Sequence, residues 1–124
     1  MNDPRQRNRR ASVLLLILLV VAVSVPLALM LLDTHATQIR CVHNYIENMT
    51  AIYVAGAGVQ RAMCDLVTDP NWRVGYTNWE FPAGLGHTYT VTLQDISEED
   101  ILVISTGRTA AGYTKTVYAK VTGF

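Results

Sequence analysis

The chain has 124 residues, enough for one small domain, and its formal net charge at neutral pH is zero. The charge is unevenly divided, because residues 1–11 hold four Arg and one Asp whereas the rest holds six basic and nine acidic residues. A nucleic-acid-binding protein carries a basic face on its folded part, so we expect no nucleic acid among the partners.

An uncharged apolar segment follows this basic tip. Residues 12–32 (SVLLLILLVVAVSVPLALMLL) form a run of 21 residues without a charge. A helix of that length spans roughly 30 Å, the thickness of the hydrocarbon core of a bilayer. A cleaved secretory signal is the alternative, but its apolar region is usually shorter and LLDTHATQ offers a poor cleavage site. We predict a basic leader over residues 1–11 and a transmembrane helix over residues 12–33.

The charges on either side of this segment predict its orientation. Arginines lie directly before it, and the lone acidic Asp33 lies directly after it. The positive-inside rule then places the N-terminus in the cytoplasm and the C-terminal part outside. Pro26 lies inside the segment and removes a backbone hydrogen bond, so we expect a kink or local loosening there.

The helical pattern continues beyond the apolar segment. Mostly apolar residues recur at steps of three and four, as on one face of an amphipathic helix; the stripe is Ile39, Val42, Ile46, Met49, Tyr53, Gly56, Gln60, Met63 and Leu66 or Val67. We predict an amphipathic helical half over residues 34–70, with Asp69-Pro70 as the turn that ends it. We expect the stripe to be its buried face.

After the helix the hydrophobic period changes to two. The segments HTYTVTLQDI, DILVISTGR and GYTKTVYAKV predict an antiparallel meander of three strands, with VGYTNWEF as a possible fourth. Two apolar faces follow from the alternation: Tyr89, Val91 and Leu93 on one strand, and Tyr113, Val117, Ala119 and Val121 on the last. Such a sheet buries one face, and the amphipathic helix is the expected cover.

These elements predict the fold class α+β. A long N-terminal α-helix, transmembrane and then amphipathic, is expected to pack on a small antiparallel β-sheet. Residues 71–124 supply the sheet and form one head domain together with residues 34–70.

The glycine pair Gly56-x-Gly58 is compatible with a phosphate-binding loop or with a small-residue helix face. A dinucleotide fingerprint needs a third glycine, a strand before it and a helix starting at it, whereas Arg61 occupies the third position and the preceding pattern is helical. Glycine inside a helix costs roughly 1 kcal/mol relative to Ala, so a packing reason is expected. We interpret Ala55, Gly56, Ala57 and Gly58 as helix-packing residues.

The remaining patterns do not predict a reactive or metal-binding site. Cys41 and His43 would point about 200° apart on a helix, so we expect no metal to bind them together with Asp33 and His35. Cys41 and Cys64 are 23 positions apart, roughly 34 Å on a continuous helix and beyond disulfide reach. We expect both to be free and buried.

No catalytic constellation is visible, so we predict a protein that is not an enzyme and has no cofactor. No Ser-His-Asp, Cys-His or paired-carboxylate arrangement can be argued from the spacing. An aromatic connector follows the helix, and it either caps the core or forms an exposed surface for adhesion or subunit contact; it comprises Trp72, Tyr76, Trp79 and Phe81.

The order of these parts resembles a type IV pilin-like protein. The stretch AGAGVQRAM followed by DLVTDPNW is similar to a segment of minor pilins and pseudopilins with a PilX-like N-terminus, in which Ala-Glu-Ala-Gly-aliphatic-Glu/Gln-Arg-Ala precedes an Asp-Pro-x-Trp-like turn. The matching positions are Ala55, Ala57, Gly58, Val59, Gln60, Arg61 and Ala62. Gly56 departs from the pattern, since Glu is usual there.

The resemblance implies that a prepilin peptidase cleaves the leader and that the new N-terminus is methylated. The junction would be Ala11–Ser12, although the family usually has Gly before the cut. The family's Glu at the fifth mature position would fall on Leu16, which resembles tip or initiating subunits. An unpaired carboxylate in hydrocarbon is costly, so Leu16 suits a position without a partner, and Pro26 supplies flexibility for assembly.

The resemblance also implies the partners and the location. The chain would be a structural subunit of a type IV pilus or type II secretion-type pseudopilus, a minor or tip component. It would sit first as a single-pass protein in the inner membrane, then pack through its N-terminal helix against other pilin-like subunits. A permanently anchored extracytoplasmic binding module that keeps its leader is the alternative. The filament system, the position in it and the target of the head domain stay open.

Overall fold

The computed structural model describes residues 4–123. These residues form one helix and a four-stranded antiparallel sheet of order β1-β2-β3-β4: α1 is Pro4–Thr68, β1 Tyr76–Glu80, β2 Thr88–Asp95, β3 Asp100–Arg108 and β4 Thr114–Thr122. The predicted α+β class, a long N-terminal helix packed on a small antiparallel sheet, is confirmed, and the possible fourth strand is present as β1. The chain divides into two compact units, Met1–Val42 and His43–Phe124.

The described part of the first unit is helical throughout and has an apolar middle. From Val13 to Leu32 every large apolar side chain is more than half exposed. This helix is apolar enough to cross a membrane. It remains helical on both sides of Pro26, so the proline does not end it. Residues 5–42 bury no side chain within the protein, and a lipid-like environment would solvate them.

The second unit has a small core between α1 and one face of the sheet. The helix contributes residues at steps of three and four, and the strands contribute alternate residues. The buried set is Val54, Val59, Ala62 and Leu66 from α1 with Tyr89, Val91, Ile101 and Val103 from β2 and β3. Val117, Ala119 and Val121 of β4 pack against it, as their alternation predicts; Tyr113 lies just before β4 and is half-buried.

The helix backbone approaches the sheet closely because both surfaces carry small residues where α1 packs on β3. A Cβ on Gly107 of β3 would clash with the backbone of Ala51 and Ala55. A Cβ on Gly58 would clash with the Ser105 hydroxyl and lie 2.9 Å from Tyr89 Cδ2. The alternation of β3 therefore places Gly107 and Ser105 directly beneath the helix.

The predicted buried stripe of the amphipathic helix is wrong. Tyr53 is 71% exposed and Ile46 is 54% exposed, whereas the face against the sheet is built from Ala51, Val54, Ala55, Gly58, Val59, Ala62 and Leu66. The sheet selects the face with the smaller side chains, because these allow the helix backbone to approach a flat strand surface. The large apolar residues remain on the far side.

A β-bulge shapes the edge strand β1. Tyr76 pairs with Val91 and Trp79 with Tyr89, so β1 has one residue more than β2 between these pairs. The extra residue keeps Tyr76 and Trp79 on the same face of the sheet although they are three positions apart. Asn78 absorbs the change with a positive φ of 47°, which Asn tolerates better than most residues.

Candidate functional site

The predicted processing residues lie in the first unit. Ala11, Ser12 and Leu16 belong to α1 and are exposed. Pro26 lies further along the same apolar run and is exposed as well. The arginines before the junction are also exposed. The boundary between the charged leader and the apolar segment is therefore not covered by any described residue of this unit.

The four predicted helix-packing residues divide into two pairs. Ala55 and Gly58 are buried against the chain's own sheet. Gly56 and Ala57 are half-buried, and a Cβ on Gly56 would meet nothing within 4 Å. Residues at steps of three share one helix face whereas adjacent residues do not. The sheet therefore explains Gly58, but no contact among residues 4–123 offsets the free-energy cost of a helical glycine at Gly56.

Gly56 belongs to an apolar helix face that no other described part of the second unit covers. We name this face the outer stripe: Tyr45, Ile46, Met49, Ile52, Tyr53, Gly56, Gln60, Met63 and Val67, none of which is buried. At roughly 100° per residue its centre lies about 140° from the centre of the face that contacts the sheet. None of its members is charged. The second unit thus has a helix with two apolar faces and a sheet that covers one of them.

The aromatic connector contributes both to the core and to the surface. Trp72 and Tyr76 pack against the core, and the rings of Tyr76 and Trp79 meet edge to face at 5.4 Å. Trp79 and Phe81 are 48% and 47% exposed. Trp72 and Tyr76 therefore belong to the core, whereas Trp79 and Phe81 are partly exposed; a role of these two in adhesion or subunit contact stays a prediction.

The exposed aromatic rings line a shallow groove between α1 and the β1 edge of the sheet. Its volume is about 250 Å³. Trp79, Phe81 and Tyr89 form its aromatic side, and Ala57, Gln60, Arg61 and Cys64 line it from the helix. Glu80 accepts hydrogen bonds from the backbone N–H groups of Gly84 and Gly86, which orders the loop that follows Phe81.

A polar triad beside the groove ties α1 to β1. The Tyr76 hydroxyl donates to the Asp65 carboxylate, while Arg61 Nε donates to the Tyr76 hydroxyl at 3.3 Å and lies 3.9 Å from Asp65 Oδ2. The hydrogen bond with Tyr76 raises the pKa of Arg61. Burial is the larger cause that raises the pKa of Tyr76, and the hydrogen bond to Asp65 raises it further. The triad is a structural link, because its hydrogen bonds join Arg61 and Asp65 of α1 to Tyr76 of β1.

The described residues, 4–123, contain no group of three or more His, Cys, Asp or Glu side chains that could hold a metal ion. Cys41 and Cys64 are free, and both are exposed. The expectation that they would be buried is wrong. Cys41 belongs to the first unit, in which residues 5–42 bury no side chain, and Cys64 lies off the helix face that the sheet covers.

Sequence reasoning missed two residues that fix the helix on the sheet. Gly107 and Ser105 are both small residues on the inward face of β3. A glycine inside a strand is a known sign of close backbone approach, so Gly107 in the segment STGR could have indicated the contact with the helix. Ser105 could not have indicated it, since an inward-facing serine has no special meaning until the position of the helix is known.

No protein-family model matches this chain, nor does any curated protein or solved structure. What the protein does must therefore be inferred from its own residues.

Proposed function

We propose that this protein is a membrane-inserted structural subunit of a pilin-like filament, of the type IV pilus or type II secretion pseudopilus kind. In this proposal the leader is removed at Ala11–Ser12 and the subunit then assembles through α1 as a minor or tip component. The observation that carries the proposal is the outer stripe: α1 has two apolar faces in the second unit, and the sheet covers one.

The energetics favour a partner for this stripe. Fully burying a Met, Ile or similar side chain stabilises by roughly 1.5–3 kcal/mol, and the stripe holds several such residues at substantial exposure, such as Tyr53 at 71% and Val67 at 75%. Contiguous exposed apolar surface of this kind marks an interaction site. Since the stripe is helical and uncharged, another apolar helix is the partner that fits it.

The apolar segment supports the same proposal. Between Val13 and Leu32 its large side chains are exposed all along the helix, so they require lipid or other apolar helices around them. A bilayer supplies the lipid, and a bundle of similar subunits supplies the other apolar helices. Leaving the membrane for a filament replaces lipid contacts with helix contacts, and Leu16 introduces no charge into either environment.

A second candidate function follows from the aromatic groove. A membrane-anchored binding module would keep its leader and use Trp79 and Phe81 to contact a target. The half-exposed Trp79 lines this groove together with Arg61, and Trp and Arg are enriched in binding hot spots. This alternative leaves the outer stripe without a partner, which is why we rank it second.

Photo-cross-linking in membranes, with a benzophenone label attached to a single cysteine of this chain, tests the proposal. The background is a chain in which both native cysteines are changed to serine. One variant adds Tyr53→Cys on the outer stripe, and the matched control adds Tyr118→Cys on the outer face of the sheet, where the side chain is similarly exposed at 65%. We expect cross-linking to pilin-like subunits from Tyr53→Cys alone. Equal cross-linking from both variants, or none from Tyr53→Cys in cells that assemble filaments, would contradict the proposal.

A further inference from the structure

The arginines that precede the apolar segment form a compact charged collar. We define the arginine collar as Arg5, Arg7, Arg9 and Arg10, all of which belong to α1 and are exposed. In the sequence Asp3 is the only acidic residue before Asp33. Four positive charges thus stand within six positions at one end of a segment apolar enough to cross a membrane.

The charges are separated from the apolar residues along the helix axis. At roughly 100° per residue the four arginines spread over about 200° of the helix circumference. A helix that lies flat on a membrane instead has its basic and apolar residues on opposite sides. The arrangement here suits a helix that crosses the bilayer, with the collar at the level of the headgroups.

The axial size of the collar matches that of a headgroup layer. Arg5 and Arg10 are five positions apart, roughly 7.5 Å along a helix. The headgroup region on each side of a bilayer is about 5–7 Å thick. All four guanidinium groups can therefore reach lipid phosphates while the segment after Ser12 fills the hydrocarbon core.

We propose that the arginine collar binds the phosphate groups of anionic phospholipids in the leaflet on the N-terminal side of the span. A guanidinium group forms paired hydrogen bonds with phosphate oxygens, and basic residues next to a membrane span attract anionic lipids. The inference rests on the proposed membrane span. It adds a role for the leader: cleavage after Ala11 removes all four arginines at once and releases the chain from this lipid contact.

Spin-labelled lipids test the collar on the full chain. The protein is reconstituted in phosphatidylcholine vesicles containing a minority of phosphatidylglycerol, and electron spin resonance measures the preference of protein-contacting lipid for each headgroup. We expect a preference for phosphatidylglycerol in the native chain that weakens at high salt. Changing all four arginines to glutamine should lower the preference for phosphatidylglycerol by roughly fivefold or more, since a single arginine near an anionic surface contributes about a fivefold preference. A chain that starts at Ser12 should show the same loss.

A matched pair of double variants controls for net charge. Arg7→Gln with Arg9→Gln removes two collar charges, whereas Arg108→Gln with Lys115→Gln removes two exposed charges from the sheet. Only the first pair should reduce the lipid preference. Two results would contradict lipid binding by the collar but leave the membrane span standing. One is an inserted native chain that shows no preference for phosphatidylglycerol; the other is an equal loss of that preference in both double variants. Extraction of the native chain from the vesicles by alkaline carbonate would overturn the membrane span as well.

Discussion

At the scale of single residues, two helical glycines only two positions apart, Gly56 and Gly58, have opposite roles. Gly58 is required by the chain's own packing, because a Cβ there would clash with Ser105 and press on Tyr89. Gly56 faces open space and retains only the entropic cost of a helical glycine.

These roles predict opposite effects of the same substitution. Gly56→Ala should raise the free energy of unfolding by up to about 1 kcal/mol through helix propensity, and Gly58→Ala should lower it by about 1–3 kcal/mol through overpacking. Urea unfolding of the full chain in detergent, followed by near-ultraviolet circular dichroism, measures both. Equal effects from the two variants would show that the helix does not contact the sheet through the Gly58 face.

Ser105 is fully buried, and its hydroxyl has no hydrogen-bond partner among the described residues. A buried unpaired polar group costs free energy, so Ser105→Ala should leave the free energy of unfolding unchanged or raise it. Ser105→Val should lower it, because the added methyl groups meet the helix backbone at Gly58. The same urea titration distinguishes the variants, and a large loss of stability in Ser105→Ala would mean that the hydroxyl has a partner.

At the scale of elements, the strands were more predictable than the burial of the helix. The period of two in β2, β3 and β4 determines which residues face inward, since the side chains of a strand have only two faces. The stripe on α1 was grouped correctly but assigned to the wrong environment. Periodicity tells which residues share a helix face, and on a helix with two apolar faces only the fit to the sheet decides which is covered.

The bulge in β1 shows another limit of the sequence. Asn78 is the residue of YTNWE that best tolerates a positive φ, but nothing in the segment indicates that a bulge occurs there, and simple alternation would separate Tyr76 from Trp79. The bulge places both near Tyr89 and so creates the aromatic side of the groove. The triad with Asp65 was equally invisible, because it joins residues 11 positions apart on different elements.

The link between α1 and β1 predicts a dependence on alkaline pH. Burial and the hydrogen bond to Asp65 raise the pKa of Tyr76 above its ordinary value of 10.0. The folded state therefore keeps the proton more tightly, and the stabilisation from this group is complete below about pH 10 and is lost as the pH rises through the raised pKa. Tyr76→Phe should reduce the loss of stability between neutral and strongly alkaline pH, whereas the exposed Tyr118→Phe should not. An unchanged pH profile in Tyr76→Phe would contradict the role of this group.

At the scale of the whole molecule, the two units have different requirements. The described part of the first unit exposes its apolar side chains, and the second has its own core with one uncovered apolar face. A soluble domain gains nothing from either feature. Together they are the surfaces that a helix-assembled filament would cover.

A charge on the outer stripe should separate folding from assembly. Tyr53 is 71% exposed, so Tyr53→Glu should change the free energy of unfolding by less than about 0.5 kcal/mol. The same charge in an apolar helix contact would be left unpaired, and incorporation into filaments should be abolished. Sheared surface or periplasmic filaments, probed for the variant, measure this; Tyr118→Glu is the control. Normal incorporation of Tyr53→Glu would exclude the outer stripe as the assembly surface.

The central claim is that the chain is a processed subunit, and its N-terminus tests this most directly. Intact mass and N-terminal sequencing would be measured on protein from membranes of cells with and without a prepilin peptidase. The account predicts a chain that begins at Ser12 only where the peptidase is present. A chain that still carries Arg5 to Arg10 in cells with an active peptidase would contradict it and favour the anchored binding module.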